Sequence, residues 1–403
     1  MARFIISVWT ISTSKMNNIP PLLHMIEALI STPSVSSTNK SLDQGNIAVI
    51  EHLAGWLGEG GFEVEIMPLP GASNKANLIA TLGSGAGGLV LSGHTDTVPW
   101  DEGKWQHDPF SLTQADQRLY GLGTSDMKSF LALAIEASRE LRAGDLQEPL
   151  ILLATADEET SMAGAKALVD RKLPRARYAI IGEPTGLRPV RMHKGILMEA
   201  IRLQGRSGHS SDPALGNSAL EAMYTVIGAL RAWRKELQKK HIDPNFAVPV
   251  PTLNLGHIHG GDNPNRICPE CELHIDLRPL PGMDLQELRG ELQQRVLLAL
   301  RDSGIQVSFE SLFDGVPAME TPASASIVQL AEKLTGHTPE AVAFGTEAPY
   351  LSQLGMETIV LGPGDIDQAH QPDEYLALDR LAPTIDILKQ MMNTVCIGKD
   401  PLL

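Results

Sequence analysis

The residues best suited to do chemistry in this chain stand just beyond apolar runs. Leu89, Val90 and Leu91 lead through Gly93 to His94, Thr95 and Asp96. Side chains two apart on a strand share a face. If the strand continues that far, the Asp96 carboxylate can grip one imidazole nitrogen of His94 and leave the other free for a metal. One such pair is equally well a hydrogen-bonded turn. The arrangement repeats, however. Residues 149–154 (PLILLA) run into Asp157, Glu158 and Glu159; residues 178–181 (YAII) lead through Gly182 to Glu183; residues 358–361 (TIVL) lead to His370. Three consecutive acids at the end of an apolar strand are costly to assemble unless cations neutralise them. Asp126 precedes a predicted helix over 129–142, either as an N-cap or as a carboxylate whose two oxygens bridge two cations. Two histidines with several carboxylates and no convergent thiol describe a zinc site, with cobalt or manganese as substitutes.

The elements that must hold these residues alternate. Helical spacing over 22–29 and 46–57 is followed by strands at 62–67 and 77–82, and then by the ligand-bearing strands. In open α/β sheets, ligands bind beyond the carboxyl ends of the strands. His94, Glu158, Glu159, Glu183 and His370 are all predicted there. Between 187 and 312 the pattern changes to strand 196–203, helix 218–239, strands 251–258 and 271–277, helix 285–302 and strand 306–310. That β-α-β-β-α-β order suggests a ferredoxin-like insert. The chain then returns to the larger domain, with helices at 324–334 and 381–395. The expected fold class is α/β, with a large sheet domain interrupted by a small α+β one.

Composition narrows the function classes. A length of 403 residues exceeds one ordinary domain. A formal charge of −15, from 33 basic and 48 acidic side chains, argues against nucleic acid or an anionic membrane as the main partner. Three cysteines give no disulfide framework, which fits a reducing cytoplasm. Residues 4–11 (FIISVWTI) superficially resemble a signal peptide but lack a small-residue cleavage site. Met16 is the expected start, with 1–15 a non-native extension. Later apolar runs fall short of the ~20 residues needed to span a bilayer.

Several motifs carry less. GSGAGG (83–88) matches the dinucleotide pattern G-x-G-x-x-G, but it leads into a strand where that motif needs a helix, so a loop between strands is expected. Cys268-Pro-Glu-Cys271 reads as paired free thiols. His257 and His259 could face a cleft, although solvent or a core hydrogen bond is the default.

The segments GHTDTVP (93–99), GLGTSDMK (121–128), ATADEETSMAGA (154–165) and IGEPT (181–185) resemble, in order, the di-zinc aminoacylase/carboxypeptidase (M20) family. Three further stretches, 192–211, 263–283 and 345–375, resemble a branch that deacylates N-acyl amino acids. The resemblance implies a three-layer α/β/α catalytic domain with a mixed sheet (16–187 and 313–403) and a lid/dimerisation insert (188–312) in a cytoplasmic homodimer. It implies two Zn2+ per subunit: one on His94, Asp126 and Glu183, the other on Glu159, His370 and the shared Asp126. Asp96 would orient His94, and Glu158 would be the general base. Two such metals lower the pKa of a shared water toward about 7. His209 would cross a dimer interface to stabilise the oxyanion. Arg266, beside Asn265, suits an α-carboxylate, and Lys194, Gly345 and Thr346 match substrate-contacting positions. Other amidohydrolases of the group, or a non-catalytic binding protein on the same fold, are the competing readings.

Overall fold

The computed structural model describes residues 18–398; the expected start at Met16 and the extension 1–15 lie outside them. A nine-stranded sheet forms the centre, in the order Glu63–Leu69, Ala72–Leu82, Leu150–Thr155, Leu89–His94, Tyr178–Ile181, Glu357–Val360, Val190–His193 and Met319–Glu320, with Glu340–Val342 also paired to Val190–His193. The sheet is mixed. Leu89–His94 runs parallel to Leu150–Thr155 and to Tyr178–Ile181, and Glu357–Val360 runs parallel to Tyr178–Ile181, whereas Ala72–Leu82 is antiparallel to its neighbour Leu150–Thr155. The carboxyl ends of four strands therefore open on one rim.

These strands read as unbroken apolar runs because helices cover both faces. Leu89, Leu91, Leu150 and Leu152 pack with the helices Leu22–Ile30, Lys128–Ser138 and Leu381–Val395. Val90, Ile151 and Leu153 face the other way, toward Ala163–Arg171 and Ala348–Gln353. Lys128–Ser138 is buried nearly all round, as suits a helix enclosed in a core. It ends earlier than the 129–142 predicted. Gly83–Gly88 joins two strands of this sheet, as expected.

The interrupting segment forms its own four-stranded antiparallel sheet, ordered Thr252–Gly260, Glu270–Arg278, Ile196–Gln204, Gln306–Val316. The helices Ala219–Lys240 and Leu285–Ala299 cover one face, and Trp233, Leu230, Leu292 and Val296 build a core with Leu203, Leu273 and Leu277 that is separate from the first. Both helices begin at a side-chain cap, Ser218 Oγ accepting from Glu221 N and Asp284 Oδ1 from Gln286 N and Glu287 N. The β-α-β-β-α-β order is as predicted, although the last strand runs on to Val316. Among the described residues no helix is long and apolar enough to cross a membrane.

Candidate metal centre

The rim gathers residues that lie far apart in sequence. His94 ends its strand opposite Thr155, and its Nε2 lies 3.1 Å from Asp126 Oδ1 and 3.9 Å from Glu183 Oε2. On the other side of Asp126, His370 Nε2 is 3.7 Å from Oδ2 and 3.2 Å from Glu159. Two triads result, His94–Asp126–Glu183 and Asp126–Glu159–His370, each with donor atoms within 4.8 Å of one another. Asp126 belongs to both. Glu158 joins a third group with His94 and Glu159. No cysteine belongs to any of these groups among the described residues.

Close packing sets these positions. Gly182, between its strand and Glu183, lies so near Phe130 that a Cβ there would fall 2.0 Å from the ring. Asp157 and His370 both adopt left-handed backbone, at φ of 59°, a conformation that costs a non-glycine residue on the order of 1–3 kcal/mol and that persists where the surroundings over-determine it.

Asp96 works differently from the expectation. His94 Nδ1 is held by the Asp96 backbone carbonyl at 2.9 Å, while the Asp96 carboxylate stands 3.7 Å away. That carboxylate instead accepts the backbone N–H groups of Glu158 (3.2 Å) and Glu159 (3.1 Å). The strand does not continue past His94, so the alternation that would turn the Asp96 side chain toward the imidazole is lost. One residue thus fixes both the histidine and the acidic turn. Burial raises its carboxyl to about 6, against the pull of His94.

Electrostatics shows what this donor set suits. A carbonyl can only accept, so His94 Nδ1 carries the proton and the Nε2 lone pair faces the Asp126 carboxylate. Lone pairs meeting in this way need a proton or a metal ion between them. Although burial opposes it, the Asp126 hydrogen bond and the Glu183 and Asp96 charges raise the His94 pKa well above its ordinary value. His370 is raised to about 9, chiefly by Glu159. Burial, then Asp126, pushes Glu183 well up; burial, then Glu183, does the same to Glu158. Glu183 Oε1 is buried with no hydrogen-bond partner. Crowded acids, imidazole nitrogens of His94 and His370 aimed at them and an orphaned carboxylate oxygen fit a pair of divalent cations on oxygen and nitrogen donors.

Two supporting acids escape a reading by sequence. Glu374, 1% exposed, accepts the backbone N–H groups of Gly123 (3.0 Å), Ser125 (2.7 Å) and Asp126 (2.9 Å), and so holds the loop that carries Asp126. Burial raises it to about 8. Glu347 receives the Thr155 hydroxyl at 2.7 Å and leaves Oε1 without a partner; burial raises it to about 7. The one available signal was position: Glu374 follows His370 in a polar loop, and Glu347 follows Thr346.

The remaining predicted residues are spread more widely. His209 is exposed on the insert and bonds through Nδ1 to Ser211. A β-bridge joins it to Arg266, and Ser210 N donates to the Asn265 carbonyl, so His209, Asn265 and Arg266 lie in one patch. Arg266 pairs with Asp262. Lys194 is buried, donates to the Val250 carbonyl at 2.7 Å and lies over the Phe246 ring; burial lowers its pKa. Gly345 packs on Ile196, and Thr346 Oγ1 accepts from Ala348 N. Cys268, Cys271 and Cys396 are free and buried.

Comparison with known proteins accords with this geometry. The profile of peptidase family M20/M25/M40 matches residues 90–394. The chain is 51% identical over 379 residues, 94% of its length and 98% of the relative's, to an acetylornithine deacetylase of Edwardsiella ictaluri (strain 93-146). In fold it is similar to an M20 family metallo-carboxypeptidase, Sso-CP2 of Sulfolobus solfataricus, with a TM-score of 0.73 at 18% identity over 93% of this chain and 98% of that one. It is also similar to a dinuclear metal-binding M20 peptidase of Bacillus subtilis, YXEP, with a TM-score of 0.64 at 14% identity over 93% and 98%. With the family profile covering most of its length and a relative this similar end to end, the chain belongs to peptidase family M20/M25/M40 and is a metal-dependent hydrolase.

Proposed function

We propose that the chain removes the acetyl group from N2-acetyl-L-ornithine, giving L-ornithine and acetate, a step of arginine biosynthesis. The observation that carries this reading is the 51% identity to an acetylornithine deacetylase, which spans both the rim of the large sheet and the insert. In this reading 16–187 and 313–403 form the catalytic domain, 188–312 form a ferredoxin-like lid/dimerisation domain, and the enzyme is a cytoplasmic homodimer.

His94, Asp126 and Glu183 would hold one Zn2+ and Asp126, Glu159 and His370 the other, with Co2+ or Mn2+ as substitutes. When bound, such a pair supplies Lewis-acid polarisation of the acyl carbonyl and lowers the pKa of water. Glu158 takes the proton from the attacking water and later hands it to the departing α-amine as the C–N bond breaks. Burial and the Glu183 charge shift its pKa upward, the direction that favours holding a proton between those two transfers. Asp96 keeps the Glu158–Glu159 turn in place through two backbone N–H groups. His209, from a second copy of the chain, donates to the oxyanion. Because His209 and Arg266 share a β-bridge, they would reach the substrate together, Arg266 pairing with the α-carboxylate beside Asn265. Gly345 and Thr346 line the substrate side in this reading. Lys194, whose ammonium donates to the Val250 carbonyl and keeps two further N–H donors, contacts the substrate in this reading.

The test is a substrate panel. The metal-reconstituted chain, started at Met16, is assayed against N-acetylornithine, N-acetylmethionine, N-succinyl-diaminopimelate and a dipeptide, with and without chelator. Chelator-sensitive preference for N-acetylornithine is expected. Preference for another substrate keeps the metal chemistry and overturns the substrate, whereas failure to hydrolyse any of them with both metals bound overturns the enzymatic reading.

A further inference from the structure

The open face of the insert's sheet carries a second group of nitrogen and oxygen donors. His257 and His259 stand on the edge strand Thr252–Gly260, and Glu272 and His274 on its neighbour Glu270–Arg278. Leu253 pairs with Leu277 and Leu255 with Ile275, all of them packed in or against the helix-covered core. Strict alternation would send residue 257 to that same side. The register shifts between Leu255 and His257, leaving Gly256 as the extra residue, and beyond it His257 pairs with His274, Ile258 with Leu273 and His259 with Glu272. A bulge re-aims the side chains that follow it. Here it turns both histidines to the uncovered face, where Glu272 and His274 flank the buried Leu273.

His257 is exposed, its ring centroid lies 4.7 Å from that of His274, and donor atoms of His257, Glu272 and His274 fall within 4.8 Å of one another. Glu272 is oriented by two bonds. Arg202, on the adjoining strand, takes Oε2, while Oε1 faces His274 Nε2. An ion-pair ladder accounts for Arg202, Glu272 and His274. It does not involve His257, whose ring lies against that of His274.

We propose that His257, Glu272 and His274 form a second site for a transition-metal ion of the Zn2+, Cu2+ or Ni2+ class, separate from the centre on the large sheet. Two imidazoles and one carboxylate match the ligand preference of these ions, and cross-strand neighbours in an antiparallel pair stand about 4.5–5.5 Å apart at Cβ, within reach of one ion. The metal clips the edge strand to its neighbour. His259 pairs with Glu272 on the same face but stands outside the three-residue group. This site does not depend on which substrate the enzyme cleaves.

The test titrates Zn2+ calorimetrically into enzyme already loaded with its catalytic ions, using wild type, His257→Ala and His274→Ala. Wild type is expected to take up an additional equivalent per chain. Each variant should weaken that uptake by at least about tenfold, the scale on which even outer-shell partners act, with kcat/KM and Tm unchanged in the absence of added Zn2+. His257→Gln leaves the Arg202–Glu272–His274 ladder intact and repeats the test should an alanine variant misfold. No additional equivalent, uptake indifferent to all three substitutions, or affinity no tighter than that of free imidazole overturns the proposal.

Discussion

At the rim of the large sheet His94 is 1% exposed and Asp126 8%, and the Asp126 loop is held by three backbone hydrogen bonds to Glu374, while His370 is the exposed member of the candidate ligands. On the insert, His209 and Arg266 are exposed, and their side chains bond within their own loops, which a β-bridge joins. The two regions also have separate cores. The difference shows how the work is divided. The candidate ligands gather at the ends of buried parallel strands and in the loops beside them, where close packing fixes most of them. His209 and Arg266 stand on a separately packed body, and under the proposed function they meet the substrate's outer parts.

Substitutions that act on one region and spare the other can break this contrast. The largest effect is expected at Glu158. Glu158→Gln keeps the shape and removes the base, so turnover should fall by about 10²–10⁴-fold while metal content and fold persist; near-normal turnover in a stopped assay of the metal-loaded variant would end the role. Next is His209. His209→Ala should lower kcat by about 10²–10³-fold, and mixing it with a Glu158→Ala chain should restore part of the activity, because each mixed dimer keeps one complete site. Mixtures as inactive as their components would show that the two regions do not meet across subunits. Smaller still is Glu374→Gln. The amide places an N–H₂ where Gly123 N or its neighbours need an acceptor, loosening the Asp126 loop, and zinc affinity by titration calorimetry should drop by about 10–100-fold, as for other outer-shell partners. An unchanged affinity would mean that packing alone holds the loop.

Much of this arrangement was legible in the sequence. Tyr178–Ile181 and Leu381–Val395 begin and end where their apolar patterns do, because a strand or helix buried on a sheet cannot hide its period. The candidate ligands were legible as a repeated pattern, an acid or histidine just past an apolar strand end, which any one of them alone would not have shown. What the sequence left open was mostly backbone hydrogen bonding. The Asp96 carboxylate turns to the Glu158 and Glu159 N–H groups, Glu374 caps a loop some 250 residues earlier in the chain, and Glu347 finds Thr155.

Residue types and their spacing by themselves determined the alternation of elements, the inserted α+β segment and the set of candidate ligands, because burial of apolar periods is a local property of the chain. Only the tertiary structure decided that Asp126 stands between His94 and His370, that His209 and Arg266 adjoin, and that a bulge at Gly256 turns His257 outward. Those outcomes depend on strand order, register and long-range backbone contacts, which pair residues by their place in the sheet and not by their distance along the chain.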